Sequence, residues 1–164
     1  MYTAISAIDK DGHIGYNGGL PWKYSNEDMW WFKDNTYNGI IVMGRKTWDS
    51  IKRIPLSYKT NVVLTKQPWF DLTHFQEYDR LHIINHITEI QVLQHRLQKG
   101  VFICGGQQIY ELFFQSNLVD RVLLTRFNQS YKSDTVFPID YLKDFKAPTI
   151  IREYPECRME EYLK

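Results

Sequence analysis

Hydrophobic positions in this chain come mostly as short unbroken runs, separated by polar stretches with helical spacing. Together they predict alternating strands and helices. Residues 2–8 mix apolar and small side chains and stop at DKDG, the pattern of a strand entering a turn. The run IIVM at 40–43 is apolar at every position, as expected of a strand buried on both faces. Residues 61–65 (NVVLT), 81–84 (LHII), the start of VFICGGQQIYELFF and residues 121–127 (RVLLTRF) read as further strands. Residues 149–154 and 157–163 read as a hairpin around Pro155 and Glu156.

The helices announce themselves at their starts. Ser25 reads as an N-cap with Asp28 three residues on, and Tyr24 and Met29 occupy the positions of a hydrophobic staple. A helix therefore begins near Asn26, and Asp28 shares a face with Trp31 and Phe32. GRKTWDSI opens a second helix after Gly44, whose backbone freedom serves the turn. In the third, Thr88 and Gln91 form a capping box and Ile87 and Val92 its staple. Ile90, Leu93 and Leu97 are its buried stripe, and it ends at Gly100. A fourth follows the glycine pair of CGGQQIY. Residues 134–138 read as a polar turn and 67–80 as a long aromatic and acidic loop without an assigned role. This alternation predicts an α/β fold on a mostly parallel sheet. With 164 residues and no repeat or linker, one domain over 1–164 is expected.

Candidate chemistry starts at Asp28, which has two readings. As third residue of a capping box it reaches back to the N-cap amide, and acids suit a first helical turn. As a carboxylate among large aromatics it is a candidate functional group. Before it, Gly12, Gly15, Gly18 and Gly19 lie between Asp9 and Trp22, yet the segment ends in bulky Leu20, Pro21 and Trp22. A lid over a ligand accounts for both features. Arg45, Lys46 and Thr47 fall on a first helical turn, where cations are poorly placed for stability but an anion is welcome. Thr65 and Lys66 repeat the hydroxyl and cation at another strand end. Gly105 and Gly106 permit close approach to the amides near Gln107. Ligands of open parallel sheets bind at the carboxyl ends of strands, so these three places are positioned to converge on a dinucleotide.

Composition narrows the partners. Net charge is +1 with both signs interspersed, which leaves no electrostatic footprint for nucleic acid or an anionic membrane. Hydrophobic residues at 43% and charged residues at 24% suit a soluble globular protein that acts on small molecules. Cys104 and Cys157 are too few for a disulfide scaffold and fit a reducing compartment. His82 and His86 stand four apart on a strand, too distant to chelate together, so no metal is expected. No run approaches a membrane span and the N-terminus lacks the order of a signal peptide, so a cytoplasmic protein is expected.

The motifs IGYNGGLPW, EDMWWF, VMGRKTW, NVVLT, CGGQQIY, LLTRF and SDTVFP stand in the order, and nearly at the spacing, of dihydrofolate reductases. The chain resembles that family from near Met1 to its end. The resemblance implies a dihydrofolate-reductase-like α/β fold: a central eight-stranded, mostly parallel sheet with an antiparallel C-terminal strand, flanked by about four helices. It also implies a monomer that reduces dihydrofolate to tetrahydrofolate with NADPH. By resemblance Asp28 grips the pterin, Thr125 supports it, and Leu20 and Trp22 belong to the lid. Ile5, Ala7, Met29, Phe32, Ile51, Lys59, Cys104 and Tyr110 match the substrate pocket. Ala7, Ile14, Gly15, Gly44, Arg45, Lys46, Thr47, Leu64, Thr65 and Lys66 match the cofactor side, as do Cys104, Gly105, Gly106, Gln107, Gln108, Ile109 and Tyr110. A cis peptide between Gly105 and Gly106 is implied as well.

Three positions depart from the family pattern. Lys59 stands where an arginine usually clamps the glutamate carboxylate of folate. A lysine cannot make that bidentate pair, so tail recognition should be weaker or shared with Arg53. Gln108 replaces an arginine that often helps hold the cofactor phosphate, leaving NADP preference to Arg45, Lys46, Thr65 and Lys66. Cys104 replaces an aliphatic residue and reads as a small buried hydrophobe. Two other readings stay open: a reductase of the same fold acting on another pterin or a ribosylated pyrimidine, and a binding subunit that keeps both sites without turnover.

Overall fold

Side-chain alternation in the first strand divides the interior in two. In β1 (Tyr2–Ile8), Ala4 and Ile8 join one buried cluster while Ile5 joins another, so the strand separates two apolar layers. The computed structural model describes residues 1–67 and 80–164; of the loop read at 67–80, only Gln67 and Arg80 are among them. After β1 come β2 (His13–Gly15), α1 (Asn26–Thr36), β3 (Ile40–Gly44), α2 (Arg45–Ser50), β4 (Thr60–Leu64) and β5 (Leu81–Ile84). Then follow α3 (Thr88–Leu97), β6 (Val101–Ile103), α4 (Gln107–Gln115), β7 (Arg121–Phe127) and β8 (Thr135–Val136). A 3-10 turn (Ile139–Asp144), β9 (Thr149–Glu153) and β10 (Cys157–Leu163) close the chain.

Eight strands form one sheet in the order β5-β4-β3-β6-β1-β7-β10-β9. All neighbours are parallel except the pairs made by β10, which runs antiparallel to both β7 and β9. Every residue of β3 and β4 is buried, as their apolar runs require. Ile90 and Leu93 of α3 and Tyr110, Phe113 and Phe114 of α4 cover one face. Trp31 of α1 and Trp48 of α2 pack on the other, with Ile5, Ile41, Met43, Phe127 and Met159. The carboxyl ends of the parallel strands therefore open along one edge, between helices of both layers. Such an edge is where ligands of this architecture bind.

Several local expectations change. The segment read as a polar turn at 134–138 contains β8, which pairs antiparallel with β2 and turns the glycine-rich segment into an anchored structure. Strands of two and three residues carry too few positions to show a period. The third helix has no Thr88–Gln91 box. Its N-cap, Ile87, offers no side-chain bond; instead His86 Nδ1 accepts from the Thr88 amide at 3.3 Å, and Glu89 Oε1 reaches back to the Asn85 and His86 amides at 3.1 Å. Val92 is 71% exposed, so it staples nothing. That helix ends at Gln98, in the left-handed region, rather than at Gly100. Gly44 has ordinary extended dihedrals. It is small because a Cβ there would lie 2.8 Å from Ile109 Cγ1.

Candidate active site

Helix α1 delivers Asp28 by a cap that leaves its carboxylate unspent. Ser25 Oγ accepts from the Asp28 amide at 3.2 Å, and the Ser25 hydroxyl donates to Glu27 at 3.4 Å. Glu27, rather than Asp28, is the acid that engages the cap. Tyr24, 70% exposed, adds little to a staple. The Asp28 carboxyl is partly buried. Burial raises its pKa above the ordinary aspartate value, and the Thr125 hydroxyl beside it opposes that rise. The contact with Thr125 falls outside hydrogen-bond geometry, so Thr125 Oγ1 is buried without a partner among the described residues.

Thr125 belongs to β7, in register with Ala7 of β1 on one side and Met159 of β10 on the other. Around this floor stand Ile5, Trp22, Trp31, Phe127, Cys157 and Met159. The Trp22 ring packs 4.7 Å from Phe127 and 5.9 Å from Tyr131. The indole N–H groups of Trp22 and Trp31 are also buried without partners among the described residues. Buried polar groups are normally satisfied, so a layer with two idle donors, an idle hydroxyl and a desolvated carboxyl suits a polar, planar guest. The Cys157 thiol in the same layer is pushed up to about 11 by burial and then by Asp28, Glu156 and Glu27.

Beside it, the starts of two helices meet. The Gly44 amide donates to the Gly105 carbonyl at 2.8 Å, which draws α2 and α4 together, and neither helix has a side-chain cap. Gly105 sits at φ +101° with the Tyr110 ring 3.1 Å from where a Cβ would be, and the Gly105–Gly106 peptide is cis. The Tyr110 hydroxyl is spent on the Ile5 carbonyl at 2.7 Å. Thr47 Oγ1 lies 3.6 Å from the Cβ position of Gly106. An anion at either helix start would meet amides and the positive end of a dipole.

A match to the family description "Dihydrofolate reductase" covers residues 1–155. The chain belongs to the dihydrofolate reductase family. Among relatives, dihydrofolate reductase of Lactococcus lactis is 32% identical over 153 residues, covering 93% of this chain and 86% of that protein. The Buchnera aphidicola enzyme is 35% identical over 144 residues, covering 83% and 78%. The fold matches a dihydrofolate reductase from Enterococcus faecalis, solved in complex with NADP(H) and RAB-propyl, with a TM-score of 0.81. Identity there is 26%, over 99% of this chain and 95% of that one.

The remaining family positions are distributed unevenly. Phe32 and Ile51 pack against the Asp28 layer. Met29 lines an open groove with Tyr24, Trp30, Lys33 and Tyr154. Leu20 is 56% exposed and does not cover the floor. Ile14 packs against the opposite cluster, and Gly15 pairs with Thr135. Leu64 and Thr65 are buried at the end of β4, while Lys66 is exposed. Arg45 faces Asp49 at 3.8 Å, and Lys46 and Gln108 are exposed. Ile109 packs over Gly44. The Cys104 thiol lies 3.5 Å from the Phe102 carbonyl and is pushed up to about 12 by burial, while the residue as a whole is half-buried rather than the fully buried hydrophobe expected.

Lys59 is 5% exposed, with Nζ 3.5 Å from the Ser57 carbonyl and 5.9 Å from the Phe32 ring centroid. Among the described residues no carboxylate pairs with it. Burial lowers its pKa, the Cys104 thiol opposes that, and Lys33 adds to it.

One cluster escaped the sequence reading. Asp9 accepts from the Asp11 amide at 2.8 Å, the His13 amide at 3.0 Å and the Tyr131 amide at 2.8 Å, and it pairs with His13 Nδ1 at 2.7 Å. Burial alone would raise its pKa, but the His13 and Tyr131 bonds prevail and lower it. This knot fastens the start of the glycine-rich segment to the stretch after β7. The signal in DKDGH was an aspartate two residues before an aspartate-glycine turn.

Proposed function

We propose that this chain transfers hydride from NADPH to 7,8-dihydrofolate, giving 5,6,7,8-tetrahydrofolate. The observation that carries the reading is the Asp28 carboxyl, desolvated opposite Thr125 and set beside two joined helix starts in a chain of this family. Asp28 orients the pterin through its ring nitrogen and amino group, and these bonds favour the ionised carboxylate against the cost of burial. Ile5, Ala7, Phe32 and Ile51 flank the ring, and Lys59 takes the glutamate carboxylate.

NADPH, when bound, supplies the hydride. The donors near Gly44, Arg45, Lys46, Thr47 and Gly106 suit its phosphates, with Thr65 and Lys66 on the adjacent strand end. The pterin nitrogen next to the carbon that accepts the hydride would take its proton through water. The lid bearing Leu20 and Trp22 excludes bulk solvent. A monomer acting in the cytoplasm belongs to the same reading, and the two free thiols support a reducing compartment.

Loss of NADPH absorbance on adding dihydrofolate tests the proposal, with NADH run beside it. Turnover that prefers NADPH is expected. Tight cofactor binding without turnover on dihydrofolate would overturn it.

A further inference from the structure

Gln107 is the first residue of α4, next to the glycine pair, and both ends of its half-buried side-chain amide are bonded within the protein. Its Oε1 accepts from the Val136 amide at 3.1 Å, and its Nε2 donates to Glu111 Oε1 at 3.0 Å, one helical turn on. Val136 lies in β8, whose ladder partner is β2: His13 is in register with Val136 and Gly15 with Thr135. The outer edge of this two-stranded ribbon is thus closed by a side chain from the helix that follows Gly106.

From β2 the chain runs directly into the lid. The Tyr16 and Gly19 backbones bond each other, and the Asn17 amide donates to Asp134 Oδ2 at 2.9 Å. Ser133 Oγ donates to the Gly15 carbonyl at 2.7 Å, and the Phe137 amide to the Gly12 carbonyl at 2.9 Å. One continuous set of hydrogen bonds therefore joins the start of α4 to β8, to β2 and to the segment that carries Leu20 and Trp22.

We propose that Gln107 is a positioning residue, a latch by which the helix start that receives the cofactor holds the lid's supporting ribbon. The inference rests on the cofactor assignment above. Glu111 fixes the Gln107 amide so that its oxygen faces Val136. A cofactor phosphate that orders the start of α4 then orders β8 and the lid through it.

Hydrogen exchange read by mass spectrometry tests the latch, with and without saturating NADPH, in the wild type, Gln107→Met and the exchanged pair Gln107→Glu with Glu111→Gln. Methionine keeps the length and helix propensity and removes both bonds. The exchanged pair keeps an acceptor for Val136 and a donor for it from position 111. In Gln107→Met, exchange in residues 12–19 and 133–137 should quicken about threefold to tenfold, as for the loss of one hydrogen bond. The protection NADPH gives those residues should shrink while protection around 44–47 persists, and the exchanged pair should restore both. A role confined to fold stability would instead quicken exchange throughout the sheet. That outcome, or unchanged exchange in Gln107→Met with and without cofactor, overturns the proposal. Should the wild type fail to bind NADPH, the cofactor assignment falls separately, and unchanged exchange in the free protein still overturns the latch.

Discussion

The carboxyl of Asp28 on α1 and the hydroxyl of Thr125 on β7 face each other in one apolar layer, where burial and the hydroxyl act oppositely on the carboxyl's proton. Burial drives the carboxyl's pKa up and Thr125 draws it down, with burial prevailing. The residue proposed to hold the substrate is therefore a source of instability in the free protein.

That cost has a definite pH dependence. Because the folded-state pKa is raised, the native protein holds the proton more tightly than the unfolded chain does. Stability is then lost as pH rises from the ordinary aspartate value of 3.8 through the raised one. Asp28→Asn removes this loss. At neutral pH the variant should melt about 2–4 °C higher than the wild type, the effect of about 1 kcal/mol in a domain of this size. The gain should fade below the ordinary carboxylate range. Thermal unfolding as a function of pH checks this, and a variant no more stable at neutral pH would refute the account of Asp28 as a desolvated acid.

Lys59 offers one point charge where two parallel hydrogen bonds are possible. Lys59→Arg should lower KM for dihydrofolate by about tenfold through a bidentate pair with the tail carboxylate. KM for a dihydropterin without the glutamate should stay the same. Steady-state kinetics on both substrates decide it: equal changes would mean that Lys59 does not meet the tail.

On β10, buried Glu160 accepts from Arg126 at 3.1 Å, Arg158 at 2.6 Å and the Tyr162 hydroxyl at 2.8 Å. Burial would raise its pKa, but Tyr162, Arg158 and Arg126 together lower it below the ordinary 4.5. Its stabilisation is thus complete above 4.5 and disappears as pH falls through the lowered value. Glu160→Gln should cost about 1.5–3 kcal/mol at neutral pH, as for the loss of charge-assisted hydrogen bonds to partners that water can still reach. Urea unfolding should show the gap between variant and wild type closing on strong acidification. A gap that does not change with pH would mean that Glu160 acts through packing alone.

The centre of the main sheet was legible because β3, β4 and β6 are short, largely apolar runs buried at every position, which no other element explains. Local sequence could not reveal contacts that depend on distant partners. The β2–β8 ribbon is too short for a pattern, and the start of α3 is held by Glu89 and His86 reaching amides on either side of Ile87 rather than by a Thr88–Gln91 box. Gly44 was read as a turn residue, whereas its size is set by Ile109. Asp28 stood out as a candidate, yet the choice between cap and functional acid depended on Thr125, which arrives from the far half of the chain. Lys59 was visible as a departure, but its burial without a carboxylate partner among the described residues emerges only once Phe32 and Ser57 stand beside it.

Turnover of Asp28→Asn at neutral pH tests the central claim most directly, measured as NADPH oxidation with saturating dihydrofolate on protein shown to be folded. If Asp28 orients the pterin and favours its protonated form, the rate should fall by about a hundredfold or more, while NADPH affinity is kept. Full turnover in the folded variant would contradict the assignment of Asp28 as the substrate-binding acid.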